Sequence, residues 1–158
     1  MKKFKIEFKW AFIFVAMMLL WMLIEKLTGL HGEHIDQHKI FTNFVAIPAV
    51  IIYVLALMDK RENYFGGKIN YKQAFTSGLI ITAIITALSP FTQIITVEVI
   101  SPDYFNNMID YVVEQEMYSP GEARIYFNLK SYILQTLWAT PIMGIITTAI
   151  VAIAIRRK

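Results

Sequence analysis

The chain has 158 residues, of which 56% are hydrophobic and 17% are charged, with a formal net charge of +3. An ordinary soluble domain has about 25% charged residues, and a small one needs them to cover its large surface. The composition therefore indicates a membrane protein and excludes a disordered chain. The sequence contains no cysteine, which excludes disulfides, iron–sulfur clusters, thiolate zinc sites and cysteine nucleophiles.

Four long apolar runs predict four transmembrane helices within a single domain, residues 1–158. A membrane-spanning helix needs about 20 predominantly apolar residues. The first run resembles a signal peptide because basic residues precede it, but no small-x-small cleavage site follows Ile24, so we expect an uncleaved helix. In chain order the predicted spans are 6–28, 39–58, 71–99 and 129–155.

The distribution of charge predicts the orientation of these spans. Eleven of the 15 basic residues, but only three of the 12 acidic ones, fall on the side that carries both termini and the 59–72 loop. Because Lys and Arg are enriched in cytoplasmic loops, we expect both termini to be cytoplasmic. The high isoelectric point then reflects orientation and anionic lipid rather than a nucleic-acid-binding face, and we expect no nucleic-acid partner.

The segment between the third and fourth spans predicts a further helix outside the membrane. Apolar residues at helical spacing predict an amphipathic helix over residues 102–117, with Ser101 as its N-cap. We expect it to lie on the outer surface or to cap the bundle; the alternative is a lid or partner-docking helix. From Pro120 the helical pattern runs to Pro141 without a breaker, which predicts a fourth helix projecting beyond the membrane.

The first outer loop contains all the histidines of the chain, His31, His34 and His38. Their spacings of three and four would place them on one helix face. Neutral imidazoles bind zinc, copper, nickel or iron, so this cluster is a candidate site for a divalent transition metal or a proton. The alternative is a polar loop whose histidines bind water, lipid headgroups or acidic residues. The preceding Glu25–Lys26 pair we interpret as marking the membrane surface, the alternative being an intramembrane ion pair.

The spans themselves carry hydroxyl and amide side chains. Asn43, Gln93 and Gln135 are candidates for a polar core that lines a hydrated path. The alternative is tight helix packing, because small residues recur at intervals of four from Gly78 and from Gly144. We predict no catalytic residue and no cofactor-binding residue.

Several segments together resemble a bacterial family of integral membrane proteins catalogued as domain of unknown function 4199. They are EKLTGLHGEHIDQH, FTNFVAIPAVIIYVLALMDKR, GGKINYKQAFTSGLIIT, SPFTQ, SPDYF and YFNLKSYILQ. The resemblance covers essentially the whole chain and implies a four-pass protein of the bacterial inner membrane. It brings no known catalytic or binding residues with it.

These observations predict an all-α integral membrane four-helix bundle with an extra amphipathic extracytoplasmic helix. The favoured function is that of a non-enzymatic protein that acts through helix–helix or outer-surface contacts. Its partners would be the lipid bilayer and a membrane protein or a second copy. One alternative is a small transporter or metal-handling protein that uses the histidine cluster. Another is a membrane enzyme or lipid-binding protein with a site at the outer interface, near Tyr104 or Tyr126.

Overall fold

The chain is a bundle of helices in the computed structural model, which describes residues 4–157. Lys2, Lys3 and Lys158, which the charge count includes, lie outside the described residues. The helices are α1 (Lys5–Leu27), α2 (Ile35–Phe41), α3 (Ala46–Asn63), α4 (Tyr71–Ile95), α5 (Tyr104–Glu114), α6 (Pro120–Tyr126) and α7 (Leu129–Ile155). A 3₁₀ turn, Thr42–Val45, joins α2 to α3, and a π-helical turn, Thr96–Ile100, extends α4.

Four helical stretches within residues 4–157 are long and apolar enough to cross a membrane. They are Lys5–Leu27, Ile35–Asn63, Tyr71–Ile100 and Leu129–Ile155. The predicted fold class, an all-α four-helix bundle, is confirmed. The second stretch extends beyond the predicted 39–58 at both ends, because polar residues continue the helix past its apolar run.

The bundle closes in a ring in which α4 packs against α7 and α1, and α3 packs against α1 and α7. We call the end where α1 and α4 begin the basic end, and the opposite end, which carries the histidines, the histidine end. Near the basic end Ile69 and Arg157 exchange backbone hydrogen bonds of 3.0 and 2.9 Å. The amphipathic helix α5 lies at the histidine end, with Tyr104, Met108 and Val112 on its buried face.

Two expectations about helix boundaries are wrong. Asn128 interrupts the helix expected to run from Pro120. Its side-chain amide donates to the Ile125 carbonyl of α6, and its side-chain oxygen accepts from the backbone amide of Ser131 in α7. One side chain thus caps two separate helices. At α5, the N-cap is Asp103 rather than Ser101, and Ser101 is buried.

The contact between α4 and α7 depends on paired glycines and threonines. Gly78 on α4 faces Thr148 on α7, and Gly144 on α7 faces Thr82 on α4. Thr82 Oγ1 lies 2.7 Å from the Tyr53 hydroxyl of α3 and donates to the Gly78 carbonyl. Small residues let membrane helices approach closely, so the two ridges seen in the sequence pack directly against each other.

A buried ion pair joins three helices at the basic end. The Lys60 ammonium lies 2.8 Å from Glu7 Oε1, and the Ser77 hydroxyl donates to the same oxygen at 2.8 Å. All three residues are buried, and the Tyr64 ring lies 3.7 Å from the Lys60 ammonium. Glu7 is the only acidic residue among the first 24. This isolated carboxylate is the sequence feature that pointed to a basic partner, although the pair was not predicted from it.

We predict that alanine at Gly78 or Gly144 destabilises the bundle. An added Cβ would lie 2.6 Å from Thr148 Oγ1 or 2.5 Å from Thr82 Oγ1, respectively. Overpacking of this kind costs about 1–3 kcal/mol, more than the gain of about 1 kcal/mol from replacing glycine in a helix. Thermal unfolding in detergent micelles measures the loss.

The control is Gly121→Ala in α6, where an added Cβ meets no atom within 4 Å. It should unfold like the wild type or slightly later. The double variant Gly78→Ala/Thr148→Ala should recover most of the loss. Equal stability of all the single variants would contradict direct packing of these residues.

Candidate functional site

The end of α1 turns the chain back toward itself. Gly29 has φ +81°, and its amide donates to the Lys26 carbonyl while the Leu30 amide donates to the Glu25 carbonyl. This is a Schellman motif, whose left-handed position favours glycine. The turn carries the His31 side chain back over the last turn of α1, beside the Glu25 side chain.

The Glu25 carboxylate, buried at 1% exposure, is the centre of the site. Its Oε2 lies 3.2 Å from His31 Nε2 and 3.4 Å from His38 Nε2 on α2. Its Oε1 accepts a hydrogen bond of 2.6 Å from Trp21 Nε1, one turn earlier on α1. We call Glu25, His31 and His38 the histidine site; one ligand atom from each lies within 4.8 Å of the others.

His34 lies outside this group. The expectation that all three histidines share one helix face is wrong, because α2 begins only at Ile35. His31 therefore belongs to the preceding turn and His34 occupies the N-cap position, where it is exposed. The turn brings together two of the three predicted histidines and adds Glu25.

Helix α5 covers the histidine site from the side. The Tyr104 ring centroid lies 4.9 Å from that of His31 and 5.4 Å from that of His38. The Asn107 amide donates a 2.7 Å hydrogen bond to the His31 carbonyl. Burial raises the pKa of the Tyr104 hydroxyl above its usual value, so it stays protonated, 3.3 Å from the Tyr132 hydroxyl of α7.

An open cavity of about 560 Å³ adjoins the histidine site. His31 forms part of its wall, together with Lys26, Glu33, His34 and Asp103. His31 itself is 4% exposed, and its Nδ1 is buried without a hydrogen-bond partner among the described residues. Buried polar atoms are nearly always paired, so this nitrogen is an exception within the site.

The geometry of the histidine site suits a metal ion. Two imidazoles and one carboxylate are a ligand set that binds zinc, and tetrahedral ligands 2.0–2.1 Å from a zinc ion are separated by about 3.3–3.4 Å. The observed separations of 3.2 and 3.4 Å are compatible with that spacing, and they are also the distances of hydrogen bonds from the imidazoles to Glu25. The site also lies at the carboxyl end of α1, where the helix dipole favours positive charge.

Sequence reasoning underestimated Glu25. It was interpreted as a marker of the membrane surface, whereas the structure buries it against two histidines. The available signal was its position six residues before His31 and four after Trp21, which places it within reach of both once a glycine turn follows.

The structure does not form a polar core from Asn43, Gln93 and Gln135. Asn43 and Gln135 are exposed and Gln93 is only partly buried. The Asn43 side-chain amide donates instead to the Lys39 carbonyl of α2, four residues earlier, at 2.6 Å. Amide side chains can satisfy themselves locally in this way, so their presence in a span does not predict a shared path.

Fold and site together define a multi-pass, all-α membrane protein with a buried carboxylate–imidazole group. The family model described as "Protein of unknown function (DUF4199)" matches residues 9–157. The chain belongs to this family, and the resemblance found from its segments is confirmed. No curated protein and no solved structure matches the chain.

We predict that Glu25→Ala destabilises the protein by about 3–5 kcal/mol, the cost of removing one partner from a buried charged group. Trp21 and both histidines of the site would lose their shared acceptor. Glu25→Gln keeps an acceptor oxygen and should lose less. Unfolding in detergent is the measurement.

The control is Glu33→Ala, at an exposed position of the next turn. It should stay within about 0.5 kcal/mol of the wild type. Equal losses of stability in Glu25→Ala and Glu33→Ala would contradict the prediction.

Proposed function

We propose that the protein binds a divalent transition-metal ion, with zinc as the best match, in the histidine site of a four-pass bacterial inner-membrane protein. The observation that carries the proposal is the convergence of two imidazole Nε2 atoms on one oxygen of the buried Glu25 carboxylate, at 3.2 and 3.4 Å.

The role is one of binding rather than catalysis. Glu25 and His31 are buried, and the site is covered by α5. A catalytic group must reach a substrate, whereas a bare metal ion can enter through the open cavity beside His31. The apolar exposed surfaces of the spans fit the lipid bilayer as partner, and a second membrane protein or another copy would bind at the outer surface.

In this proposal the histidine end is extracytoplasmic. The support is the excess of Lys and Arg at the basic end, because these residues are enriched on the cytoplasmic side of membrane proteins. The metal would therefore be taken from outside the cytoplasm.

The metal proposal is tested by zinc titration of the full-length chain, purified in detergent and stripped with a chelator. We expect one zinc ion per chain. Changes to residues that only orient a ligand lower metal affinity about 10–100-fold, so His31→Ala or His38→Ala should lower it at least about 100-fold. The matched control is His34→Ala, because His34 is exposed and outside the site.

Three results would each overturn the metal proposal. These are no zinc binding by the wild type, binding that survives both His31→Ala and His38→Ala, or binding lost equally in His34→Ala. Because His31→Ala also removes packing against Tyr104, unfolding curves of each metal-free variant show whether a loss of zinc binding reflects the ligand or the fold.

The orientation is tested with reporter fusions. A fluorescent protein fused after the last residue should fluoresce, because it folds in the cytoplasm. Alkaline phosphatase inserted in the exposed turn between α5 and α6 should be active, because it requires the oxidising exterior. The opposite pair of results would invert the proposed topology and place the histidine site in the cytoplasm.

A further inference from the structure

A groove runs between α1 and α4 from the basic end toward the middle of the spans. It consists of two cavities, of about 370 and 490 Å³, which share Phe4 and Ile80 in their walls. Both volumes fall in the range typical of small-molecule sites, about 300–1,000 Å³. The shared walls place the two cavities next to each other along the groove.

The two halves of the groove differ in chemistry. The half at the basic end is bordered by polar and charged side chains, among them Lys72, Gln73 and the buried Glu7–Lys60 pair. The other half is walled by apolar residues alone, Phe4, Phe8, Phe12, Ile80, Ala83, Ile84, Ala87 and Leu88. A molecule that fits both halves must itself have a polar end and a long apolar end.

Helical spacing explains the shape of the apolar half. Phe8 and Phe12 of α1 and Phe4 at its N-cap recur every four residues and form one wall. On α4 the small residues Ala83 and Ala87 leave the depression between the helices. From Ile80 to Leu88 this half extends about 12 Å along the helix, at 1.5 Å per residue. It lies within a membrane span, where hydrocarbon rather than water surrounds the helices.

The polar half offers positive charge. Lys72 is exposed and makes no ion pair within the described part of the chain, and Lys68 is exposed in the adjoining loop. Lys60 is already paired with Glu7, so the charge left for a ligand comes from the rim. Basic residues next to the membrane surface attract anionic lipid headgroups.

We propose that this groove is a binding site for an anionic glycerophospholipid of the leaflet at the basic end. Its headgroup lies at Lys72, and one acyl chain follows Phe8 and Ala87 into the span. The site is separate from the histidine site, and the proposal does not depend on metal binding.

The test uses nanodiscs with equal amounts of phosphatidylglycerol, which is anionic, and phosphatidylcholine, which is zwitterionic. The full-length protein is released into detergent, and native mass spectrometry counts the lipids that remain bound. We expect the wild type to retain phosphatidylglycerol preferentially. Lys72→Ala should reduce the preference about fivefold, the effect of one basic residue near the headgroups; Lys68→Ala, outside the two cavities, should change it less.

The apolar half is tested by filling it. Ala87→Trp should abolish retention of phosphatidylglycerol. Ala139→Trp on α7 is the matched control, because Ala139 is also exposed, lines neither cavity and lies as many residues from the basic end of its helix. Ala83→Trp provides a second filling variant, and thermal unfolding identifies any variant that has lost its fold.

The proposal is overturned if the wild type retains both lipids equally, which indicates annular lipid only. It is also overturned if folded Ala87→Trp or Ala83→Trp keeps as much phosphatidylglycerol as Ala139→Trp. If both filling variants fail to fold, the test is the wild type's retention of phosphatidylglycerol against phosphatidylcholine, together with the loss of that preference in Lys72→Ala.

Discussion

Hydrocarbon surrounds the spans of this protein, and that single constraint decides which side chains face inward. Large apolar side chains such as Trp138, 74% exposed, face outward, while Thr148 and Glu7 are buried. In lipid, apolar burial provides no strong drive for helix association, so close packing and polar contacts must hold the helices together. The glycine–threonine contacts between α4 and α7 and the Tyr53–Thr82 hydrogen bond supply both.

The same constraint places the buried ionisable side chains at the two ends of the bundle. The cluster at the basic end differs in chemistry from the cluster at the histidine end. At the basic end Glu7 is paired with Lys60 and bonded by Ser77, so charge and hydrogen bonds are both satisfied. At the histidine end the imidazoles of His31 and His38 converge on the Glu25 carboxylate, and His31 Nδ1 has no hydrogen-bond partner among residues 4–157. The first arrangement stabilises three helices against one another; the second gathers three side chains of the kinds that bind metal ions.

The histidine site is also a junction between the spans and the helix outside them. Glu25 belongs to α1, His38 to α2, and Tyr104 of α5 lies against both imidazoles. Asn107 fixes the backbone of the turn that carries His31. A metal ion bound to Glu25, His31 and His38 would therefore tie α1 to α2 beneath the ring of Tyr104.

The sequence by itself determined the number of spans, the all-α class and the amphipathic α5. These features depend on hydrophobic periodicity and on contacts between residues three or four apart, which sequence spacing records directly. The tertiary structure decided which histidines form the site, that Glu25 joins them, and that Asn128 divides α6 from α7. It also left Asn43 and Gln135 exposed and Gln93 only partly buried, although all three lie in spans. Those outcomes depend on where a turn directs the chain and on which helix faces meet, and neither quantity is contained in the spacing of residues along one segment.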